Sequence, residues 1–165
     1  MHAPQVTQPG RDFVSFSDLL AKVGYFLLNW STLELSLSDA IFEKRPARTK
    51  LPAGVSGTFA ERLELWRRSA SRMSTSKRNG ELVGEIAEQA SRLRTIRNLI
   101  VHGLVGGNSL PEAGPGYIEC VVGGYDRPTG EFVRYTVHDL ENFAQAADAC
   151  RRGFRDVDSF NHRLS

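Results

Sequence analysis

Apolar residues recur along the first quarter of the chain at alternating steps of four and three. Leu19, Val23, Phe26, Trp30, Leu33, Leu37 and Ala40 make one continuous seam, which an α-helix places on a single side. The pattern predicts a helix from about Ser17 to Phe42, closed by Lys44-Arg45-Pro46, because proline cannot continue it. Residues 46–57, PARTKLPAGVSG, read as a Pro/Gly loop. Thr58-x-x-Glu61 is a capping box, which starts a second helix with Phe59, Leu63, Trp66, Ala70 and Met73 as its seam. Arg62, Arg67, Arg68 and Arg72 are assigned to its outer face. The polar run STSKRNG at 74–80 is expected to be a connection. A third helix follows from about Glu81 to His102, with Leu82, Ile86, Ala90, Leu93, Ile96 and Ile100 inward and Gly103 as its C-terminal cap.

Residues 103–116 are rich in Gly, Pro and Asn and read as a loop, long enough to point to function or disorder. YIECVV and EFVRYTV then alternate like strands and are joined around Asp-Arg-Pro-Thr-Gly, a hairpin. Thr136-x-x-Asp139 opens a last helix with Leu140, Phe143, Ala147, Cys150, Phe154 and Val157 inward. The fold class expected is all-α: an antiparallel four-helix bundle with a small β-hairpin inserted before the last helix. Residues 15–165 form this one domain, and 1–14 a flexible N-terminal segment.

Composition changes this picture little: 41% hydrophobic and 24% charged residues are ordinary for a soluble globular protein. The distribution of charge changes it more. The net charge is +2, yet residues 44–97 carry thirteen Lys/Arg against five Asp/Glu, and the rest of the chain is acidic. A basic middle suits a polyanion such as RNA; arginines solvating exposed helix faces produce the same pattern. The two cysteines, Cys120 and Cys150, stand in no zinc-ligand spacing and make no disulfide framework; Cys150 falls on an apolar stripe as a small core residue. The opening MHAPQVTQPGRDF lacks the apolar run of a signal peptide, and no stretch reaches the roughly eighteen apolar residues of a membrane span. A cytoplasmic protein with no membrane and no metal is expected. No Walker sequence, HExxH or nucleophile elbow occurs, and the glycines after 103 do not lie between a strand and a helix as a dinucleotide site requires.

The chemistry concentrates at RTIRNLIVHGLVGG, residues 94–107. At about 100° per residue, Asn98 and His102 lie one above the other, with Arg94 a turn earlier on the same side. Arg97 falls beside the buried stripe of Ile96 and Ile100, where a guanidinium needs a partner or a ligand. Glu34, on the inner side of the first helix, is the candidate partner that orients it. His102 stands in the last turn, where the negative end of the helix dipole favours the imidazolium. His2, His138 and His162 have no comparable context, and Trp30 and Trp66 read as core rather than as base-stacking platforms.

Arg97-Asn98-x-x-x-His102-Gly103 resembles the Arg-polar-spacer-His signature of HEPN domains, small helical domains of prokaryotic toxin, defence and RNA-processing systems. Trp30-x-x-x-Glu34-x-x-Leu37 is similar to a pattern in the first long helix of such proteins. The resemblance implies a metal-independent endoribonuclease without a cofactor, with Arg97 and His102 catalytic, Asn98 as the supporting polar residue and Glu34 behind them. It also implies a homodimer that joins two motifs in one cleft, and a possible role as a toxin with a cognate antitoxin. The subtype paired with a nucleotidyltransferase carries a tyrosine two residues after the His; Leu104 stands there. Arg155-Asp156 and His162 match the loose signature too, but at a polar C-terminus with no cap behind them. Arg94, Arg67 and Arg68 are the candidate RNA contacts. A non-catalytic module that binds a protein or nucleotide through the same groove is the alternative, and a DNA-binding helical protein a weaker one.

Overall fold

The structure is a computed structural model that describes residues 15–42, 57–74, 76–108, 116–124, 126 and 128–162, with side chains as far as 156. Four helices and three strands run in the order α1 (Phe16–Phe42), α2 (Phe59–Met73), α3 (Lys77–Gly103), β1 (Leu104–Asn108), β2 (Tyr117–Val121), β3 (Phe132–Thr136) and α4 (Val137–His162) among the described residues. The expected lead-in at 1–14, most of the Pro/Gly loop and Val157's side chain lie outside them. None of the described helices is long and apolar enough to cross a membrane.

Three helices start with the same local device. Ser15 with Asp18, Thr58 with Glu61 and Thr136 with Asp139 each exchange side-chain and backbone hydrogen bonds, satisfying donors that a helix N-terminus leaves free. The fourth, α3, is capped by Ser76, whose hydroxyl accepts from the Asn79 N–H at 3.2 Å. That cap corrects the expected connection at 74–80: its second half is the first turn of α3, because a serine can cap a helix as well as sit in a loop.

The seam of α1 is buried throughout and packs chiefly against α4. Trp66 of α2 meets Phe154 of α4 edge-on at 4.7 Å, and Trp30 of α1 meets Phe59, the first residue of α2, at 4.6 Å. Most of the predicted inward positions are core. Leu82 and Met73 are not: both are largely exposed, and Val83 and Ala87 take the inner side of α3 instead. The two cysteines are buried and free. Burial pushes both thiols up to about 11, so neither is a ready nucleophile at neutral pH.

The hairpin forms as expected, with Tyr117 opposite Thr136 and Val121 opposite Phe132. Its inner face carries Ile118 and Cys120 into the core. On the outer face Arg134 donates to Glu119, its cross-strand neighbour, at 2.9 Å.

A third strand corrects the fold class from a hairpin to a three-stranded antiparallel sheet, in the order β1-β2-β3. Residues 104–108, read as loop, pair with β2 from Leu104↔Cys120 to Asn108↔Tyr117, with an irregular register between Leu104 and Gly106. Glycines hid the strand, because they have low strand propensity. At Gly107 the glycine is required by close approach: a Cβ there would lie 2.5 Å from the Tyr117 carbonyl oxygen and 2.9 Å from the ring of Phe16.

Gly103 is also not the C-terminal cap that the sequence suggests. It is the last residue of α3, and the C-cap is Leu104 in an extended conformation. Glycine is needed because a Cβ would sit 2.5 Å from the Val121 carbonyl oxygen, so α3 can run straight into the sheet. Gly103→Ala therefore sets a helix-propensity gain of about 1 kcal/mol against an overpacking cost of about 1–3 kcal/mol on backbone that cannot swing aside. The clash is expected to win and lower the urea midpoint. Gly84→Ala in the same helix, where a Cβ meets nothing within 4 Å, should raise it.

Candidate functional site

Positions 94, 97 and 98 come to one edge of α3 because they are separated by about one turn. Opposite them, α1 supplies Trp30 and Glu34, and the start of α2 supplies Thr58 and Phe59. Together these side chains enclose a cleft of about 340 Å³. Arg94 and Arg97 are half-buried in it, and Asn98 is exposed at its rim. The Arg97 guanidinium donates to Asn98 Oδ1 at 3.0 Å.

Glu34 lines the same cleft but makes its ion pair elsewhere. Its Oε1 lies 3.7 Å from Nη2 of Arg62, whose Nη1 donates to Ser38 Oγ at 2.7 Å. The expected Glu34–Arg97 pairing is thus not the one formed, and Arg62 is not on the outer face of α2. The phase of the helix carried that signal: Arg62 follows Phe59 by three and precedes Trp66 by four, on the edge of the buried seam. Among the described residues Arg97 makes no ion pair, and its guanidinium remains available to an anion.

Among the described residues four buried N–H groups find no acceptor, the Nε1–H of Trp30 and Trp66 and the Nε–H of Arg62 and Arg94; none of these atoms has surface open to the cleft. Thr58 and Phe59, at the start of α2, line the cleft as well; the capping box of Thr58 and Glu61 already satisfies the N-terminus of that helix.

A second basin of about 380 Å³ adjoins the first between α2 and α3. Phe59 and Arg94 belong to both. Arg67 lines this second basin, but its charge is engaged: Nε and Nη2 donate to the two oxygens of Glu64 at 2.7 and 2.8 Å. Arg68 donates to Glu64 from the other side at 2.6 Å. Two of the three arginines read from the sequence as RNA contacts, Arg67 and Arg68, therefore share one carboxylate, a short-range arrangement that the count of basic residues could not reveal.

His102 lies in the last turn of α3 and is exposed. Its backbone runs against the turn that leaves β2: a Cβ at Gly124 would lie 3.1 Å from the His102 carbonyl oxygen. The imidazole stands one turn beyond Asn98 but does not line the cleft. The structure thus brings Arg94, Arg97, Asn98 and Glu34 together and leaves His102 at the end of the same edge. Trp30, Phe59 and Arg62 join the site without having been singled out for it. Among the described residues no three His, Cys, Asp or Glu side chains gather as a metal site. No family model, curated protein or solved structure matches the chain.

Hydrogen bonds from Arg67 and then Arg68 hold the Glu64 carboxyl down to about 2, from an ordinary 4.5. A depressed folded value means that the unfolded chain binds the proton more readily. The contribution is complete above about pH 4.5 and is lost as pH falls toward about 2. The side-chain carboxyl resonance of Glu64 is expected to titrate near that lower value. In a variant lacking both guanidinium groups, Arg67→Ala with Arg68→Ala, it should return toward the ordinary midpoint.

Proposed function

We propose that this chain is a HEPN-like helical-bundle domain that cleaves RNA without a metal, acting as a homodimer. One observation carries the reading: Arg97 opens into a cleft with no carboxylate among the described residues paired to it, and His102 is exposed one turn past Asn98 on the same edge. Arg97 offers a planar fork to a phosphate, and Asn98 fixes one arm of that fork.

RNA carries its own nucleophile. A base removes the proton of the 2′-OH, the oxygen attacks phosphorus, and the P–O5′ bond breaks. An acid then protonates the departing O5′, leaving a 2′,3′-cyclic phosphate and a 5′-OH. Cations stabilise the charge that builds on the phosphorane, the role given to Arg97 and Arg94. The motif supplies one histidine per chain, and the reaction uses two proton-transfer groups. A second copy provides the other His102, and a two-fold interface is the commonest kind. Val101 and Val105, both exposed on either side of His102, suit such a contact. A toxin or defence effector held by a cognate antitoxin is the biological setting that this reading fits.

His102 lies outside the cleft lining, and that observation favours a second reading: a binding module that holds an anion at Arg94 and Arg97 and performs no chemistry. The two readings separate in one assay. Purified protein is incubated with mixed RNA in EDTA, and the new ends are mapped. The nuclease reading expects 2′,3′-cyclic ends from the wild type, with His102→Ala and Arg97→Ala each slowing cleavage by about a hundredfold or more at unchanged fold and dimer. Absence of cleavage by the wild type, or equal cleavage by the variants, overturns it. Retained RNA binding without cleavage selects the module.

A further inference from the structure

α1 is apolar on two sides. Its buried seam faces the core. On the opposite side the exposed positions Ala21, Gly24, Leu28, Ser31, Leu35 and Phe42 fall at steps of three and four, with one step of seven, and make a second stripe. Leu28 and Leu35 are 62% and 65% exposed, and Leu20, Tyr25 and Phe42 are roughly half exposed on or beside the stripe. Charge is scarce on this helix. Its only charged residues are Asp18, Lys22, Glu34 and Asp39, whereas α3, of the same length, carries twice as many. Asp18 is engaged by Ser15, Lys22 by Glu141 on the α4 flank and Glu34 by Arg62 on the α2 flank. Asp39 alone borders the stripe. A helix that is apolar all round is ordinarily covered all round.

The size of the face indicates what covers it. Its five large side chains expose on the order of 500 Å² of apolar surface, more than the few hundred that a monomeric protein usually leaves in one patch. Two such faces together reach about 1,000 Å², the area at which a specific protein–protein interface begins. The seven-residue spacing of Ala21, Leu28, Leu35 and Phe42 is the repeat by which one helix packs along another.

We propose that α1 pairs antiparallel with α1 of a second copy through this face, about a two-fold axis that passes between Ser31 and Thr32. This register keeps all four heptad positions within the contact. It sets the small Ala21 against the large Phe42, Leu28 against Leu35, and Gly24 against Asp39. Tyr25 stands beside Gly24, where its hydroxyl can donate to that carboxylate. No like charges meet, because the face has one charge and the symmetry carries it to opposite ends. The pairing does not rest on the nuclease reading. α1 and α3 each pack chiefly on α4 and α2, so they occupy opposite corners of the bundle. Helical phase turns His102 outward at the α3 corner, away from the outer face of α1. Where both contacts form, the chain assembles beyond a dimer.

The test is the mass of the full chain in solution, by sedimentation, for the wild type and for Leu28→Glu with Leu35→Glu. Both leucines are exposed, so the double variant should keep its helical circular dichroism. The wild type is expected to associate at micromolar concentration, and the variant to associate roughly a hundredfold more weakly or worse, losing one twofold step in mass. Single cysteines then test the geometry, with Cys120 and Cys150 buried out of reach. Ser31→Cys lies next to the axis and should couple to its own copy through a short bismaleimide. Ala21→Cys lies about 30 Å from its copy and should not. A wild type that is monomeric at about 100 µM overturns the proposal and assigns the face to another occupant, a segment of the same chain or an unrelated protein. A mass that the double variant leaves unchanged overturns it too, and assigns any dimer to a different face. Coupling at position 21 as efficient as at position 31 overturns the antiparallel pairing.

Discussion

The contact between Trp30 and Phe59 sets the geometry on which the rest of the site depends. Trp30 lies midway along α1, and Phe59 is the first residue of α2, so their ring contact at 4.6 Å fixes where the second helix begins against the first. From that point the capping box holds the N-terminus of α2, and Arg62, one turn on, reaches back to Ser38 and Glu34. The cleft is the space left between this corner and α3. Both rings are buried and both wall the cleft, so core packing and site geometry cannot be varied separately here.

Within that frame, the competition among arginines for a few carboxylates decides which charges stay available. Glu34 takes Arg62, and Glu64 takes Arg67 and Arg68. Most of these are partly exposed pairs of modest strength, and their importance is allocation rather than stability. They neutralise much of the basic face of α2 and leave the guanidinium groups of Arg94 and Arg97 facing the cleft. A basic stretch that looked uniform in the sequence becomes one quiet helix face and one anion-ready edge. A second basin, of mixed polar and apolar lining, lies beside that edge, where Gly84 and Ser91 of α3 carry little or no side chain.

The α3–sheet junction works under a different constraint, the closeness of backbones. Gly103 and Gly107 let α3 run into β1 and let β1 lie against β2, where any Cβ would meet a carbonyl oxygen at 2.5 Å. His102 stands at that junction, next to the turn containing Gly124. Its position is therefore set by the sheet as much as by the helix. Helical spacing set His102 one turn above Asn98, yet the cleft that Asn98 lines does not extend to it.

The helices, their starts at Thr58 and Thr136, the presence of the hairpin and most of the helical core could be read directly from the chain. Each rests on a local signal: a seven-residue rhythm of apolar side chains, or a cap three residues from its partner. The placing of Arg94 one turn from Asn98 was equally legible, since helical spacing alone puts those two together, whereas Arg97 was read beside the buried stripe. Pairing between distant segments was not. The strand at 104–108 is glycine-rich and gains its hydrogen bonds from β2; Glu34 meets Arg62 rather than Arg97 because of the way α2 lies across α1. Short-range periodicity fixes what a segment becomes and which side it buries. Which charge finds which partner, and what space is left open, depends on distances across the fold that no spacing along the chain encodes.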